Sequence, residues 1–117
     1  MAAQVQEQIA TVNEVRLMGR VSADPVVREL PSGDEIVAVR VVFARPPSTR
    51  SKVRVDAVEC VAYGAGPRRS AASWRPGDVV EVSGALRRRF FSSGGGRASL
   101  VEVEMARGRL VRRATSG

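Results

Sequence analysis

The stretch that decides the fold is Val53-Arg-Val-Asp-Ala-Val-Glu-Cys-Val-Ala-Tyr63, followed after a break by Asp78-Val-Val-Glu-Val-Ser-Gly-Ala-Leu-Arg-Arg-Arg-Phe-Phe91. Both runs are rich in β-branched residues and alternate for much of their length, which predicts two strands. Between them, Arg68–Trp74 is long enough for about two helical turns, and Pro76-Gly77 closes it. The pattern therefore predicts a strand, a short helix, and a second strand that ends in a basic and aromatic run.

The second of these strands is expected to show two different faces, because side chains alternate along a strand. One face would hold Val80, Val82, Gly84 and Leu86, and the other Arg87, Arg89 and Phe91. An apolar inner face backed by guanidinium groups and an aromatic ring is typical of a surface that binds nucleic acid. Alternation turns Phe90 inward, unless the hairpin extends beyond the core, and both readings stay open.

Length and composition limit the class of protein. The 117 residues suffice for one domain, no apolar run approaches the roughly 20 residues of a membrane span, and the N-terminus shows no signal peptide. With no histidine and one cysteine, a zinc site and an internal disulfide are disfavoured. We therefore expect no enzyme, no metal, no cofactor and no membrane partner, with Cys60 a buried, inert thiol among valines.

Charge favours a polyanionic partner, since 19 lysines and arginines against 12 acidic residues give a net charge of +7. The loop Arg45–Arg54 carries four of these cations and no acid, so it is either a solvated hairpin tip or a basic finger over a phosphate backbone. The acids Asp56, Glu59, Glu102 and Glu104 are expected to face solvent.

Three further strands complete the predicted fold. Asn13–Ser22 alternates and contains Gly19, which suggests a bulge or a sharp bend; Glu35–Ala44 follows a tight turn, and Ala98–Met105 returns after the second strand of the opening stretch. A short extended segment at Val26–Leu30 lies between the strands Asn13–Ser22 and Glu35–Ala44. The chain is therefore predicted to be all-β, a five-stranded OB-fold barrel with a short helix between strands 3 and 4.

The same patterns predict the domain organisation. Met1–Val12 is Gln-rich and is expected to be a flexible arm. Residues 13–111 would form the OB-fold domain, and 112–117 a short basic tail.

A family resemblance rests on Asn13-Glu-Val-Arg-Leu-Met-Gly-Arg20, Asp24-Pro25, Pro31-Ser-Gly33, Val37–Phe43, Cys60-Val-Ala-Tyr-Gly64, Gly77-Asp-Val-Val-Glu-Val-Ser-Gly84 and Glu102-Val103. In order and spacing, across about residues 13–110, these resemble the bacterial single-stranded DNA-binding proteins (SSBs). The resemblance implies an OB-fold that binds single-stranded DNA with little sequence preference and is not an enzyme. It also implies a homo-oligomer, with a tetramer favoured over a dimer, acting in replication, repair or recombination in the bacterial cytoplasm, at the nucleoid.

Carried over by position, the resemblance makes Tyr63 and Phe91 the base-stacking residues and Arg87 and Arg89 their basic neighbours. Trp74 falls on an apolar helix position and is expected to plug the barrel. The other candidate DNA-binding residues are Arg40, Arg45, Arg50, Lys52, Arg54 and Arg97. Two residues depart from the family pattern: Ala57 replaces a frequent tryptophan, and Glu59 puts a carboxylate on the face that should meet phosphates.

The sequence ends in Arg-Arg-Ala-Thr-Ser-Gly117, without the acidic, phenylalanine-ending tip that recruits repair enzymes in the SSB family. Recruitment through such a tail is therefore not expected, and the chain is either a tailless paralogue or a cut one. Two alternatives stay open: a primosome-type accessory OB-fold protein that binds single strands as a dimer, and an interaction module that has lost DNA binding.

Overall fold

The computed structural model describes residues 9–115, apart from the side chain of Ser93. Most of the expected N-terminal arm and the last two residues of the tail lie outside that range. The elements are β1 (Val15–Val21), β2 (Val26–Glu29), β3 (Glu35–Ala44), β4 (Val55–Ala62), α1 (Ala65–Ala72), β5 (Val79–Ser93) and β6 (Gly96–Arg112). No helix among the described residues has the length and apolarity needed to cross a membrane.

Five of the strands close into a barrel in the order β1-β5-β6-β4-β3, and a pairing of β1 with β3 completes the ring. All neighbours are antiparallel except β4 and β6, which are parallel where Cys60 meets Val103. The predicted all-β OB-fold, with a helix between the third and fourth barrel strands, is confirmed. The structure adds β2, which pairs only with β3 on the outside of the ring; the sequence indicated it only as a short extension.

Valines and a single tryptophan fill the barrel. The interior contains Val21, Val37, Val39, Val41, Val80, Val82, Val103, Met105, Cys60, Ala62, Ala71 and Trp74. Trp74 is 3% exposed, and a side chain at Gly108 would overlap its ring, so the indole packs in the barrel core as predicted. Burial raises the pKa of Cys60 to about 12, which agrees with an inert thiol.

The helix α1 begins three residues earlier than predicted, at Ala65 rather than Arg68. Gly64 precedes it in an extended conformation, and Pro67 occupies its first turn. Pro67 therefore lies inside the observed helix, although it precedes the range predicted for it. The first four N–H groups of a helix have no partner within it, so a proline is tolerated there.

Two glycines allow the strands to approach closely. A side chain at Gly19 would overlap the carbonyl oxygen of Val42, where β1 passes from its pairing with β5 to its pairing with β3. A side chain at Gly84 would overlap the carbonyl oxygen of Glu104, next to the bulge between Ser83 and Gly84. A bulge or a sharp bend was predicted at Gly19, and the structure shows there a close approach to β3 at the point where β1 changes partners.

Asp78 fastens the start of β5 to the end of the chain. Its carboxylate is 1% exposed and accepts hydrogen bonds from the backbone N–H groups of Arg75 (2.9 Å) and Ala114 (2.8 Å) and from Nη1 of Arg113 (2.8 Å). Burial alone would raise the pKa of Asp78, but these donors outweigh it and leave the pKa below its ordinary value. The carboxylate is therefore ionised and fully partnered.

Candidate nucleic-acid interface

The strands β5 and β6 continue past the barrel as a two-stranded hairpin tip, which we define as residues 86–103. The register runs without a break from Leu86 opposite Val103 to Ser93 opposite Gly96. Pairing of β1 with β5 stops at Gly84. Beyond it the Asn13 amide donates to the carbonyl of Leu86 (2.9 Å) and accepts from its N–H (2.8 Å). Val103, at the base of the tip, stays in the barrel core, and beyond it both faces of the tip lie outside the barrel.

The first face, here called the near face, holds the four residues predicted to form the centre of the site. Arg87, Arg89 and Phe91 share it because they alternate along β5. A groove in the outer wall is lined by Arg87, Arg88, Arg89, Tyr63, Glu102 and Glu104, although the guanidinium group of Arg88 turns to Ser99 on the opposite face. Phe91, 44% exposed, lies further along the same face as Arg87 and Arg89. The structure thus brings Tyr63, Arg87 and Arg89 together and places Phe91 in line with them.

Each arginine of the near face lies beside a carboxylate of β6. Nε of Arg87 is 3.3 Å from Oε1 of Glu104, and Nε of Arg89 is 3.9 Å from Oε1 of Glu102. Both pairs are diagonal across the two strands, since Glu102 is directly opposite Arg87. The two arginines and the two carboxylates therefore leave the local charge of the near face close to zero.

Tyr63 links the hairpin to the outer wall of the barrel. Its ring packs on a second apolar cluster of Ile36, Ala38 and Val61, and its hydroxyl donates to Oε2 of Glu102 at 3.3 Å. The guanidinium carbon of Arg89 lies 5.8 Å from the centre of the ring. Burial raises the pKa of Tyr63, and the nearby charge of Glu102 raises it further, so the phenol stays neutral.

Glu102 is a residue of this site that the sequence analysis missed. It was expected to face solvent, but only 3% of it is exposed, because Arg89 and Tyr63 enclose it. The signal that would have found it is the hairpin register, which sets it opposite Arg87. The exposure expected for Glu102 is therefore wrong.

The opposite face of the tip, here called the far face, carries a different set of side chains. They are Leu86, Arg88, Phe90, Arg97, Ser99 and Val101. Phe90 is 62% exposed and Leu86 is 49% exposed, so the hairpin has left the barrel and neither residue is core. Arg97, another predicted DNA-binding residue, is on this face and not with Arg87 and Arg89.

The remaining predicted residues lie on β3 and on the loop that follows it. Arg40 is opposite Glu59 on the outer wall, with Nε 3.7 Å from Oε2, so the carboxylate that departs from the family pattern has a cationic partner. Arg45 is held by Asp56 through two hydrogen bonds of 3.0 and 2.6 Å. Hydrogen bonding from Arg45 lowers the pKa of Asp56.

The loop itself is a small turn closed between Ser48 and Ser51. Arg50, Lys52 and Arg54 are exposed on it, and no ion pair among the described residues involves them. Its cations are free to meet a polyanion, but the structure gives no contact between them and the hairpin tip.

A closed five-stranded barrel with a helical plug and a projecting basic hairpin defines an OB-fold binding protein. The model of the single-strand binding protein family matches residues 12–110, and the chain belongs to that family. Its members bind DNA and are not enzymes, which confirms both the family prediction and the prediction that this chain is not an enzyme.

Among solved structures, the chain is similar to the Plasmodium falciparum SSB in complex with single-stranded DNA. The TM-score is 0.68 at 20% sequence identity, over 90% of this chain and 97% of that one. At this identity the similarity supports the fold. No curated protein sequence matches the chain.

Proposed function

We propose that this chain binds single-stranded DNA with little sequence preference, and that the near face of its hairpin tip is the main contact surface. The observation that carries the proposal is the groove that joins Tyr63, Arg87 and Arg89, with Phe91 further along the same face. Unpaired bases need flat apolar surfaces, and their phosphates need cations beside those surfaces. The near face offers both within one strand and its neighbour.

The proposed mechanism combines stacking with exchange of ion pairs. Bases stack on Tyr63 and Phe91, and stacking tolerates every base because each has a π-face. The phosphates form ion pairs with Arg87 and Arg89 and replace the carboxylates of Glu104 and Glu102 as their partners. Glu102 and Glu104 thus hold the guanidinium groups in place before binding and compete with the phosphates during it.

Beyond the near face, the DNA strand makes further contacts with the loop after β3. The cations of that loop that contact it are Arg50, Lys52 and Arg54. Arg40 and Arg45 contribute less, since each already has a carboxylate partner. The organisation proposed is an N-terminal arm over 1–12, a binding domain over 13–111 and a basic tail over 112–117.

The protein is proposed to act as a homo-oligomer in replication, repair or recombination in the bacterial cytoplasm, at the nucleoid, with a tetramer favoured over a dimer. An apolar groove beside the edge of β1, lined in part by Met18, Val42, Phe43 and Val55, supports self-association. Exposed strand edges also invite pairing with another chain.

Binding to an oligo-dT ladder, with molar mass measured for each complex, tests the proposal. We expect the parent chain to shift oligo-dT, and affinity to fall with a slope of about −0.7 in log[salt] for each phosphate neutralised. Equal affinity for double-stranded DNA, or binding that does not depend on salt, would contradict it. A molar mass equal to that of one chain at all concentrations would contradict the proposed homo-oligomer.

A further inference from the structure

The far face of the hairpin tip has a composition that the proposed function does not use. Phe90 lies at its centre, 62% exposed, with the guanidinium carbon of Arg97 5.8 Å from the centre of its ring. Nη1 of Arg88 donates to Oγ of Ser99 at 3.1 Å. Leu86 and Val101 continue the apolar surface toward the barrel, and both are exposed.

Charge separates the far face from the near face. None of the ion pairs among the described residues involves Arg88 or Arg97, and the side chains of the far face include no acid. The two near-face arginines, by contrast, each have a carboxylate within 4 Å. An aromatic ring with two cations and no competing anion is complementary to a nucleotide, which pairs a flat base with a negative phosphate.

We infer that the far face is a second binding site for unpaired DNA, with one base stacked on Phe90 and the adjoining phosphates on Arg88 and Arg97. This inference rests on the proposed function, because it adds a segment of the same ligand. Adjacent strands are about 4.8 Å apart, so a two-stranded hairpin is narrow. A nucleic-acid strand on the near face can therefore pass round the edge of β5 beyond Leu86 and continue on the far face.

Two other occupants fit the far face less well. A second copy of this chain docked there through the same face would bring four guanidinium groups together with no carboxylate, which is electrostatically unfavourable. An acidic peptide would satisfy Arg88 and Arg97 but has no need of an exposed ring. The unpaired base accounts for the ring and the cations together.

Adjacent phenylalanines on opposite faces provide a matched pair of reporters. Phe90→Trp and Phe91→Trp each place an indole on one face, and the native Trp74, 3% exposed, gives a constant background. We expect oligo-dT to quench the emission of both variants, since bases stack on the new indoles. Adding Arg88→Ser and Arg97→Ser should abolish the Phe90→Trp response and leave the Phe91→Trp response in place.

The outcomes separate this inference from the function on which it rests. Quenching of Phe91→Trp without quenching of Phe90→Trp overturns the far-face site and leaves single-strand binding intact. If neither responds and the parent chain does not shift oligo-dT, the proposed function fails as well. Quenching of Phe90→Trp by polyglutamate as strong as that by oligo-dT, or a change of its emission with protein concentration alone, assigns the far face to a peptide or a second copy and also overturns the inference.

Discussion

The base and the tip of the β5–β6 pair are made from the same two strands and have opposite surroundings. At the base, Val80 and Val82 lie inside the barrel and Asp78 is enclosed by three donors. At the tip, Phe90 and Phe91 are 62% and 44% exposed on opposite faces. The change occurs at Gly84, where β1 stops pairing with β5 and the register shifts. Stability is therefore concentrated at the base, and the tip is left free for binding.

The two faces of the tip differ in turn. The near face balances its arginines with Glu102 and Glu104, and the far face leaves its arginines without carboxylates. A paired cation is well positioned but must exchange partners, whereas a free cation contributes its full charge to attraction. The five predictions below test these differences, beginning with the largest effect.

Asp78→Ala should destabilise the barrel and leave binding unchanged. Loss of three hydrogen bonds to a buried carboxylate is expected to lower the free energy of unfolding by about 2–4 kcal/mol, measured by urea denaturation. At low temperature, where the variant is still folded, its affinity for oligo-dT should equal that of the parent. A weaker affinity of the folded variant for oligo-dT would contradict the assignment of stability to the base and binding to the tip.

The carboxylate of Asp78 also makes the free energy of unfolding depend on pH, and the direction of that dependence follows from its pKa. Because the pKa of Asp78 is lower in the folded chain, its contribution is present above the unfolded pKa of about 3.9 and is lost as the pH falls through the folded pKa. The parent should therefore lose more stability in acid than Asp78→Ala does. Parallel pH profiles of the two proteins would contradict the assignment.

Phe91→Ala and Tyr63→Leu should each weaken oligo-dT binding by about 1–3 kcal/mol, the range for loss of one stacked base. Leucine is chosen at Tyr63 to keep the apolar cover over Ile36, Ala38 and Val61. Val27→Ala, at an exposed position on β2, is the control and should bind as the parent does. Unchanged affinity in both near-face variants would contradict the proposal that bases stack on Tyr63 and Phe91.

Glu102→Gln combined with Glu104→Gln should strengthen binding, because the phosphates then have no competitor for Arg87 and Arg89. We expect a gain on the order of 1 kcal/mol at low salt, measured by titration with oligo-dT. Asp24→Asn with Glu29→Gln changes the net charge equally, at exposed positions that do not line the near-face groove, and should change affinity much less. An equal gain in both double variants would show that only net charge matters.

Arg88→Ser with Arg97→Ser should make the slope of log affinity against log[salt] shallower by about 1.4, which is 0.7 for each of two phosphates. The matched pair Arg28→Ser and Arg69→Ser removes two exposed arginines elsewhere and should leave the slope close to that of the parent. If both pairs change the slope alike, the far face has no local role, and only the near face binds.

Much of the barrel could be predicted from the sequence, because the side chains that face its interior recur with a period of two, at Val37, Val39 and Val41 and at Val80 and Val82. The burial of Trp74 and Cys60 could also be predicted from their neighbours in the chain. Trp74 is a large apolar residue next to a turn, and Cys60 lies among valines. These assignments depend on neighbours in the chain, which the sequence displays directly.

The rest depended on pairing between distant segments, which the sequence does not display. The burial of Glu102 results from contacts with Arg89 and Tyr63, and the position of Arg97 on the far face results from the register of the hairpin. Arg97 and Arg87 were both predicted to bind DNA, without a distinction of face. Alternation counted across the turn, from Ser93 opposite Gly96, separates them.

The sealed position of Cys60 has a practical consequence for measuring the hairpin. With a pKa of about 12, the thiol holds its proton at neutral pH, and maleimide reagents require the thiolate. Gly95 lies at the turn of the tip, and a side chain there would meet no neighbour within 4 Å. A dye or spin label attached to Gly95→Cys would therefore be the only label on the molecule, and its signal would report the motion of the hairpin as DNA arrives.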